Sequence, residues 1–267
     1  MVNPFITAIN QILPEPQAGL LSGILFGFKA SLTKDFYQAL ITTGTVHIVA
    51  LSGQNISILA AFISQMTMFL GRKISVIVSV VVVTAFILFV GLSASLVRAA
   101  IMAYISFLAI YLGRKNWGIW SLFLAGVIMV IINPAWFFDI SFQLSFLATL
   151  GIILFCPEPV SHVNKSLLGK LREEISGNFK TTLAAQMFTL PVIFINFHRI
   201  SLIAPITNVL IGWTVTPIMI TGFVLSLLSL INMTSASLAG SVAWVFLSYL
   251  IYIVELTARI PFAGISF

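Results

Sequence analysis

The residues best placed to do chemistry are polar side chains set into long apolar runs. In His47–Ala60, HIVALSGQNISILA, the side chains of His47, Ser52, Gln54 and Asn55, with Gly53 among them, fall within nine residues at the head of a hydrophobic stretch. Inside a bilayer, irregular backbone survives only against protein or a wet cavity. A Ser-Gly-Gln-Asn break is therefore either part of a pathway or a packing device. A helix that stops and restarts there presents unpaired N–H groups and the positive end of its dipole, which suits an anion such as a phosphate. The packing alternative is a kink where Gly53 lets helices approach closely. Ionisable groups in other apolar runs are functional suspects by default; they are Arg98, Asp139, His198 with Arg199, and Glu255. Gln143 lies one turn beyond Asp139 on the same helical face. Arg98 and Asp139 read either as a pair tying two helices together or as members of a polar cluster at an outward-facing mouth. Gln186 with Pro191, and Asn208 with Pro205, mark weaker points where proline frees a carbonyl beside a hydrogen-bonding side chain.

No hydrolytic or nucleotide-binding pattern accompanies these residues. GxxxxGK[ST], HExxH and GxSxG are all missing from the sequence. The single Cys156 gives neither an intramolecular disulfide nor metal-ligand spacing. The expectation is a protein with no catalytic residues, no metal and no cofactor, driven by a partner, an ion gradient or its ligand.

The elements that position the polar residues follow from composition. The chain of 267 residues is 60% hydrophobic and 7% charged, whereas soluble domains lie near ~45–50% and ~25%. This is the composition of an integral membrane protein. A bilayer core takes about 20 apolar residues per helix, which places spans near 46–70, 74–92, 95–112, 117–132, 136–156, 180–197, 201–231 and 236–256. Pro205, Gly212 and Pro217 interrupt the 201–231 run, which reads as a re-entrant piece followed by a span. The fold class is all-α, a polytopic helical transmembrane bundle of about seven to nine spans with broken or re-entrant helices.

Basic residues set the expected orientation. Arg72, Lys73, Arg114, Lys115, Lys165, Lys170, Arg172 and Lys180 fall in alternate loops, which should face the cytoplasm. The N-terminal segment is then extracytoplasmic, and Arg98, Asp139 and His47 share a depth in the outer leaflet. The net charge of +6 comes from these topology-setting loops. Before the first span, Phe5, Ile9, Ile12 and Leu13 share one helical face, as do Leu32, Phe36 and Leu40, with Thr33 as the N-cap of the second helix. Residues 157–180 mix Lys165, Lys170 and Arg172 with leucines, as in a helix lying on an anionic leaflet.

Several stretches together resemble the membrane domain of the ComEC competence family. LPEPQAGLLSGILFG (Leu13–Gly27) and TGTVHIVALSGQNISIL (Thr43–Leu59) are followed by SLVRAAIMA (Ser95–Ala103) and NPAWFFDISFQLSFLATLGI (Asn133–Ile152). AAQMFTLPVIFINFHRISLIAPITNVL (Ala184–Leu210) completes the order. Asp139 to Phe146, and His47 to Gly53, are the more specific blocks. The family motif continues Ser-Gly-Leu-His where this chain has Gln54 and Asn55, so a role needing two titratable histidines does not carry over.

The resemblance implies an inner-membrane channel passing one strand of incoming DNA into the cytoplasm during natural transformation. Residues 1–45 would be extracytoplasmic or interfacial helices, and 46–267 the transmembrane channel domain. Expected partners are single-stranded DNA, membrane lipid, a separate nuclease, a cytoplasmic DNA motor and further copies of the chain. No HxHxDH nuclease signature occurs, so the expectation is a translocation module alone. The expected pathway residues are His47, Ser52, Gly53, Gln54, Asn55, Arg98, Asp139, Gln143, Gln186, His198 and Arg199. The broken helix and polar cluster fit two other classes as well: a transporter for a small anion or polar metabolite, and a non-catalytic scaffold for a nuclease or motor.

Overall fold

The computed structural model describes residues 4–28, 32–49, 52–114, 117–156, 167–261 and 263–266, with the backbone alone for 167–175, 199–200 and 265–266. In chain order the helices begin with α1 (Pro4–Ile12), α2 (Gln17–Phe26), α3 (Lys34–Thr42), α4 (Val46–Val49), α5 (Gly53–Thr67) and α6 (Arg72–Val90). They continue with α7 (Ala94–Tyr111), α8 (Gly118–Ile132), α9 (Ile140–Phe155), α10 (Leu167–Phe197), α11 (Ala204–Leu228) and α12 (Met233–Ala258). Two 3-10 turns, Met68–Leu70 and Pro134–Phe138, and a pair of three-residue strands, β1 (Arg199–Ser201) and β2 (Gly264–Ser266), interrupt the helices.

Short polar side chains start α3, α7, α9 and α12, as N-caps should. Thr33 Oγ1 accepts the Phe36 N–H at 3.4 Å, in agreement with the sequence reading. Ser93 Oγ accepts from Leu96 N at 3.4 Å to open α7. Asp139 Oδ1 accepts from Phe142 N at 3.0 Å to open α9, and Asn232 Oδ1 accepts from Thr234 N at 2.8 Å to open α12. At the end of α6, Gly91 takes φ 109° and ψ 157°, a region essentially reserved for glycine, and the chain reverses into α7.

The fold is an all-α membrane bundle. Among the described residues four helices, α6, α7, α11 and α12, are long and apolar enough to cross a membrane, and α2, α8 and α9 are shorter apolar helices. The expected 46–70 span is divided into α4 and α5, with Ser52 outside either helix. The expected re-entrant piece in 201–231 is not formed: α11 runs unbroken from Ala204 to Leu228. Pro205 lies in its first turn, where the missing N–H would have no partner anyway, and Pro217 is carried inside the helix. α10 likewise passes through residue 180 without a break, so the 167–180 part of the expected surface helix is continuous with the span; residues 157–166 lie outside the described residues.

Packing groups the chain into two compact units, 1–62 with 201–264, and 63–200 with 265–267. In the first unit α2 is apolar on every side, and Ala18 through Leu25 are all buried. A helix of that kind must be enclosed, and α1, α11 and α12 enclose it. Its ten residues span about 15 Å, half a hydrocarbon core. Leu21 Cδ1 would lie 2.7 Å from a Cβ built on Gly222, and Ile12 occupies the corresponding space at Gly240, so both glycines are contact points. α3 packs on α12 through buried Phe36 and Leu40.

In the second unit α7 packs against α6, α8 and α9, and α9 packs along α10. Gly126 of α8 faces the Phe146 ring, 2.9 Å from a notional Cβ, and Gly151 of α9 sits directly on the Ala184 carbonyl and the Phe188 ring of α10. Ile77, Val81 and Leu88 of α6 and Ile131 of α8 are exposed, as lipid-facing side chains are.

Gly151→Leu should destabilise the protein by about 1–3 kcal/mol, because the obstructing atom is backbone and α10 must move to admit a side chain. Gly177, also helical, has nothing within 4 Å of a built Cβ. Gly177→Ala should leave stability unchanged or raise it by about 0.5–1 kcal/mol. Thermal unfolding of the two variants in detergent checks both.

Candidate functional site

Arg98 is the dominant polar residue of the second unit. Ser93 sets the start of α7, and one turn on, Arg98 is 6% exposed. Its Nη1 donates to the Ser145 carbonyl oxygen and to Thr149 Oγ1, both on α9. Thr149 Oγ1 donates to the same Ser145 carbonyl at 2.9 Å. The guanidinium Nε is buried without a hydrogen-bond partner. Arg98 therefore rests on a shelf of neutral oxygens, and its charge is not cancelled there. Desolvating a cation without a counter-ion is among the costlier arrangements in a protein interior or a membrane.

Asp139 does not meet Arg98. Its side chain is exposed, and Oδ1 is engaged as the N-cap of α9. Ser145 and Thr149 lie six and ten residues further along that helix, about 9 and 15 Å deeper at 1.5 Å per residue. The helix start needs an acceptor, and Asp139 supplies it in place of a partner for Arg98. Gln143 Nε2 donates to the Phe137 carbonyl at 3.2 Å, fastening the turn before α9. Gln186 is half-buried on α10. His198 ends α10 with φ 51°, in the left-handed region, and is exposed with its ring 6.4 Å from that of Phe194. Arg199 begins β1, and its side chain lies outside the described residues.

His47, Ser52, Gly53, Gln54 and Asn55 belong to the first unit. Asn55 is 2% exposed and fully used. Its Nδ2 donates to the Ile24 carbonyl at 2.8 Å, and its Oδ1 accepts from Ser52 Oγ at 3.0 Å. Ile24 lies in the last turn of α2, where carbonyls have no helical partner, so the break supplies a side-chain cap to another helix. Val49 closes the same contact, with Cγ1 2.5 Å from a Cβ built on Gly23. His47 Nδ1 bonds the Gly44 carbonyl oxygen at 3.0 Å, Gln54 is exposed, and Gly53 is the first residue of α5. At Asn55 the break therefore serves as a cap for the end of α2.

The expected pathway residues are thus divided between the two units. Sequence reasoning had not singled out Ser145 and Thr149, although a Ser and a Thr four apart on an apolar helix share a face and offer a shelf to a cation. No group of three metal-ligating side chains occurs among the described residues. Asn55→Leu should remove the cap of the Ile24 carbonyl and destabilise the protein by about 1–3 kcal/mol, whereas Gln54→Leu should leave the unfolding midpoint where it is; thermal unfolding in detergent checks the pair.

The chain is 25% identical over 212 residues to ComE operon protein 3 of Bacillus subtilis (strain 168), covering 77% of this chain and 26% of that protein. It therefore spans about a quarter of the relative's length. No solved structure matches. Residues 24–267, which include the Arg98 shelf and all but the first 23 residues of the chain, match the family model described as Competence protein, and the chain belongs to the Competence protein family.

Proposed function

We propose that the chain is a multi-pass channel of the cytoplasmic membrane that conducts single-stranded DNA inward, with Arg98 as a phosphate-facing cation of the path. The observation that carries this reading is a buried guanidinium, held by neutral oxygens from Ser145 and Thr149 and retaining one unsatisfied N–H, in a family named for competence. Single-stranded DNA carries a phosphate at every nucleotide, and binders without sequence preference combine cations on the backbone with aromatic faces for the bases. A conduction path also has to let go, so one cation serves better than a row of them.

In this reading Arg72, Lys73 and Arg114 face the cytoplasm and the N-terminus lies outside. The chain performs no bond chemistry itself. A separate nuclease removes the other strand, and a cytoplasmic motor or the gradient of bound DNA supplies direction. Asn55 and Ser52 act by fixing the end of α2. Asp139 and Gln143 act by fixing the start of α9, on which the Arg98 shelf is built.

Nuclease-protected uptake of end-labelled DNA by competent cells tests the reading. Arg98→Met should lower protected intracellular DNA about tenfold or more, the effect of losing one charge-assisted hydrogen bond, with surface-bound DNA and membrane level unchanged. Arg98→Lys should retain part of it. Normal uptake in Arg98→Met at normal membrane level would remove Arg98 from the path. Asp139→Asn, which keeps the cap and loses the charge, should take up DNA normally. Asp139→Ala should lose about 1 kcal/mol of stability and lose uptake only in step with its membrane level, read by immunoblot.

A further inference from the structure

At the end of the second unit where α7 leaves off and α8 begins, the two helices diverge around a cleft of about 350 Å³. Leu108 of α7, Leu112 just beyond its end and Leu124 of α8 line its walls, and Arg114, Trp117 and Trp120 line it near the connection between the helices. The cleft is open and mainly apolar, so an occupant lies along it rather than inside it. Its lining is graded. Leu108 and Leu124 lie several residues into their helices, whereas Arg114 and the two tryptophans stand at the helix ends. Trp117 and Trp120 are 66% and 63% exposed, and amphipathic indoles of this kind settle at the headgroup level of a membrane.

The charge on α6, α7 and α8 and their connections is of one sign. No carboxylate occurs between Asp35 and Asp139, while Arg72, Lys73, Arg98, Arg114 and Lys115 all do. Lys73, at the start of α6, lies over the Tyr111 ring at 5.8 Å, which places a second cation at the same end as Arg114. α6, α7 and α8 therefore offer no group to receive the ammonium of a zwitterionic lipid, and every charge on them favours a headgroup that is negative overall.

We propose that this cleft is a binding site for an anionic phospholipid, with one acyl chain along Leu108, Leu112 and Leu124, the phosphodiester on Arg114, and the glycerol region between Trp117 and Trp120. The site is independent of the DNA-conducting reading, since it needs neither DNA nor Arg98.

The full chain, reconstituted in vesicles of phosphatidylcholine with phosphatidylglycerol, tests it when each lipid in turn carries brominated acyl chains that quench tryptophan on contact. Brominated phosphatidylglycerol should quench with about a fivefold preference over brominated phosphatidylcholine, the effect of one cation near the membrane surface. Arg114→Gln should bring that preference down toward unity, and Arg114→Lys should keep it. The double variant Trp117→Phe/Trp120→Phe should lose the preferential quenching while Trp136, Trp213 and Trp244 still report ordinary lipid contact. Equal quenching by the two lipids in the unaltered chain overturns the proposal, as does a preference that survives Arg114→Gln or disappears in Arg114→Lys.

Discussion

In the hydrocarbon core of a membrane no water completes a hydrogen bond, so each polar atom must find its partner inside the protein. That constraint shapes both units. Thr189, Thr221, Ser226 and Thr257 all turn their hydroxyls back to the carbonyl four residues earlier on their own helices, at 2.7–2.9 Å. Thr67 and Ser75 share a hydrogen bond of 2.9 Å, and Ser75 reaches the Ser64 carbonyl at 3.0 Å, fastening the turn between α5 and α6. Asn55 does the same over a longer reach for α2. The buried guanidinium of Arg98, with an unused N–H, differs from these in carrying a charge. Among the described residues it is the one charged side chain with a buried unsatisfied atom.

The same solvent removes the usual reason for helices to associate, because lipid tails are as apolar as leucine. What remains is close contact, and small residues provide it. Gly126 and Gly151 let α8 and α9 lie against the aromatic rings and backbone of their neighbours, while Gly222 and Gly240 admit the aliphatic side chains of Leu21, Leu25 and Ile12 against α11 and α12. Ala243, fully buried on α12, extends that surface. The Arg98 shelf depends on this packing: Ser145 and Thr149 reach α7 because α9 is fixed by the Phe146 ring on Gly126 and by Gly151 on α10.

Much of this was legible in the sequence, since hydropathy reports helix length directly. The runs expected at 74–92, 95–112, 117–132 and 236–256 are α6, α7, α8 and α12 to within a few residues at each end. The break before α5 was marked by Ser52 and Gly53, and the cap of α3 by Thr33. Two proline signals misdirected the reading of 201–231, because a proline's effect depends on which turn it occupies, and Pro205 fell in the one turn that tolerates it. The partner of Arg98 was illegible for a different reason. Hydropathy gives depth but not the rotation of one helix about its axis against another. Asp139 was near enough in expected depth to invite pairing, yet its own helix start claimed the carboxylate. The same missing rotation hid the burial of α2, whose uniform apolarity carries no preferred face.

The cost of the Arg98 arrangement bears on how a polyanion could pass such a bundle. A carboxylate partner would neutralise the guanidinium and make the resting protein more stable, but a phosphate would then have to compete with it. Neutral oxygens hold the side chain in place without satisfying its charge. In the proposed path that charge is what meets a phosphate arriving with its own solvation partly removed, and the weak hold of a single cation is what lets the phosphate leave. A helix start that keeps Asp139 away from Arg98 is therefore more than local stabilisation of α9. By engaging the carboxylate at the end of the helix, it leaves the shelf one turn and more below it electropositive, and in the proposed path that separation is what makes the site usable by DNA.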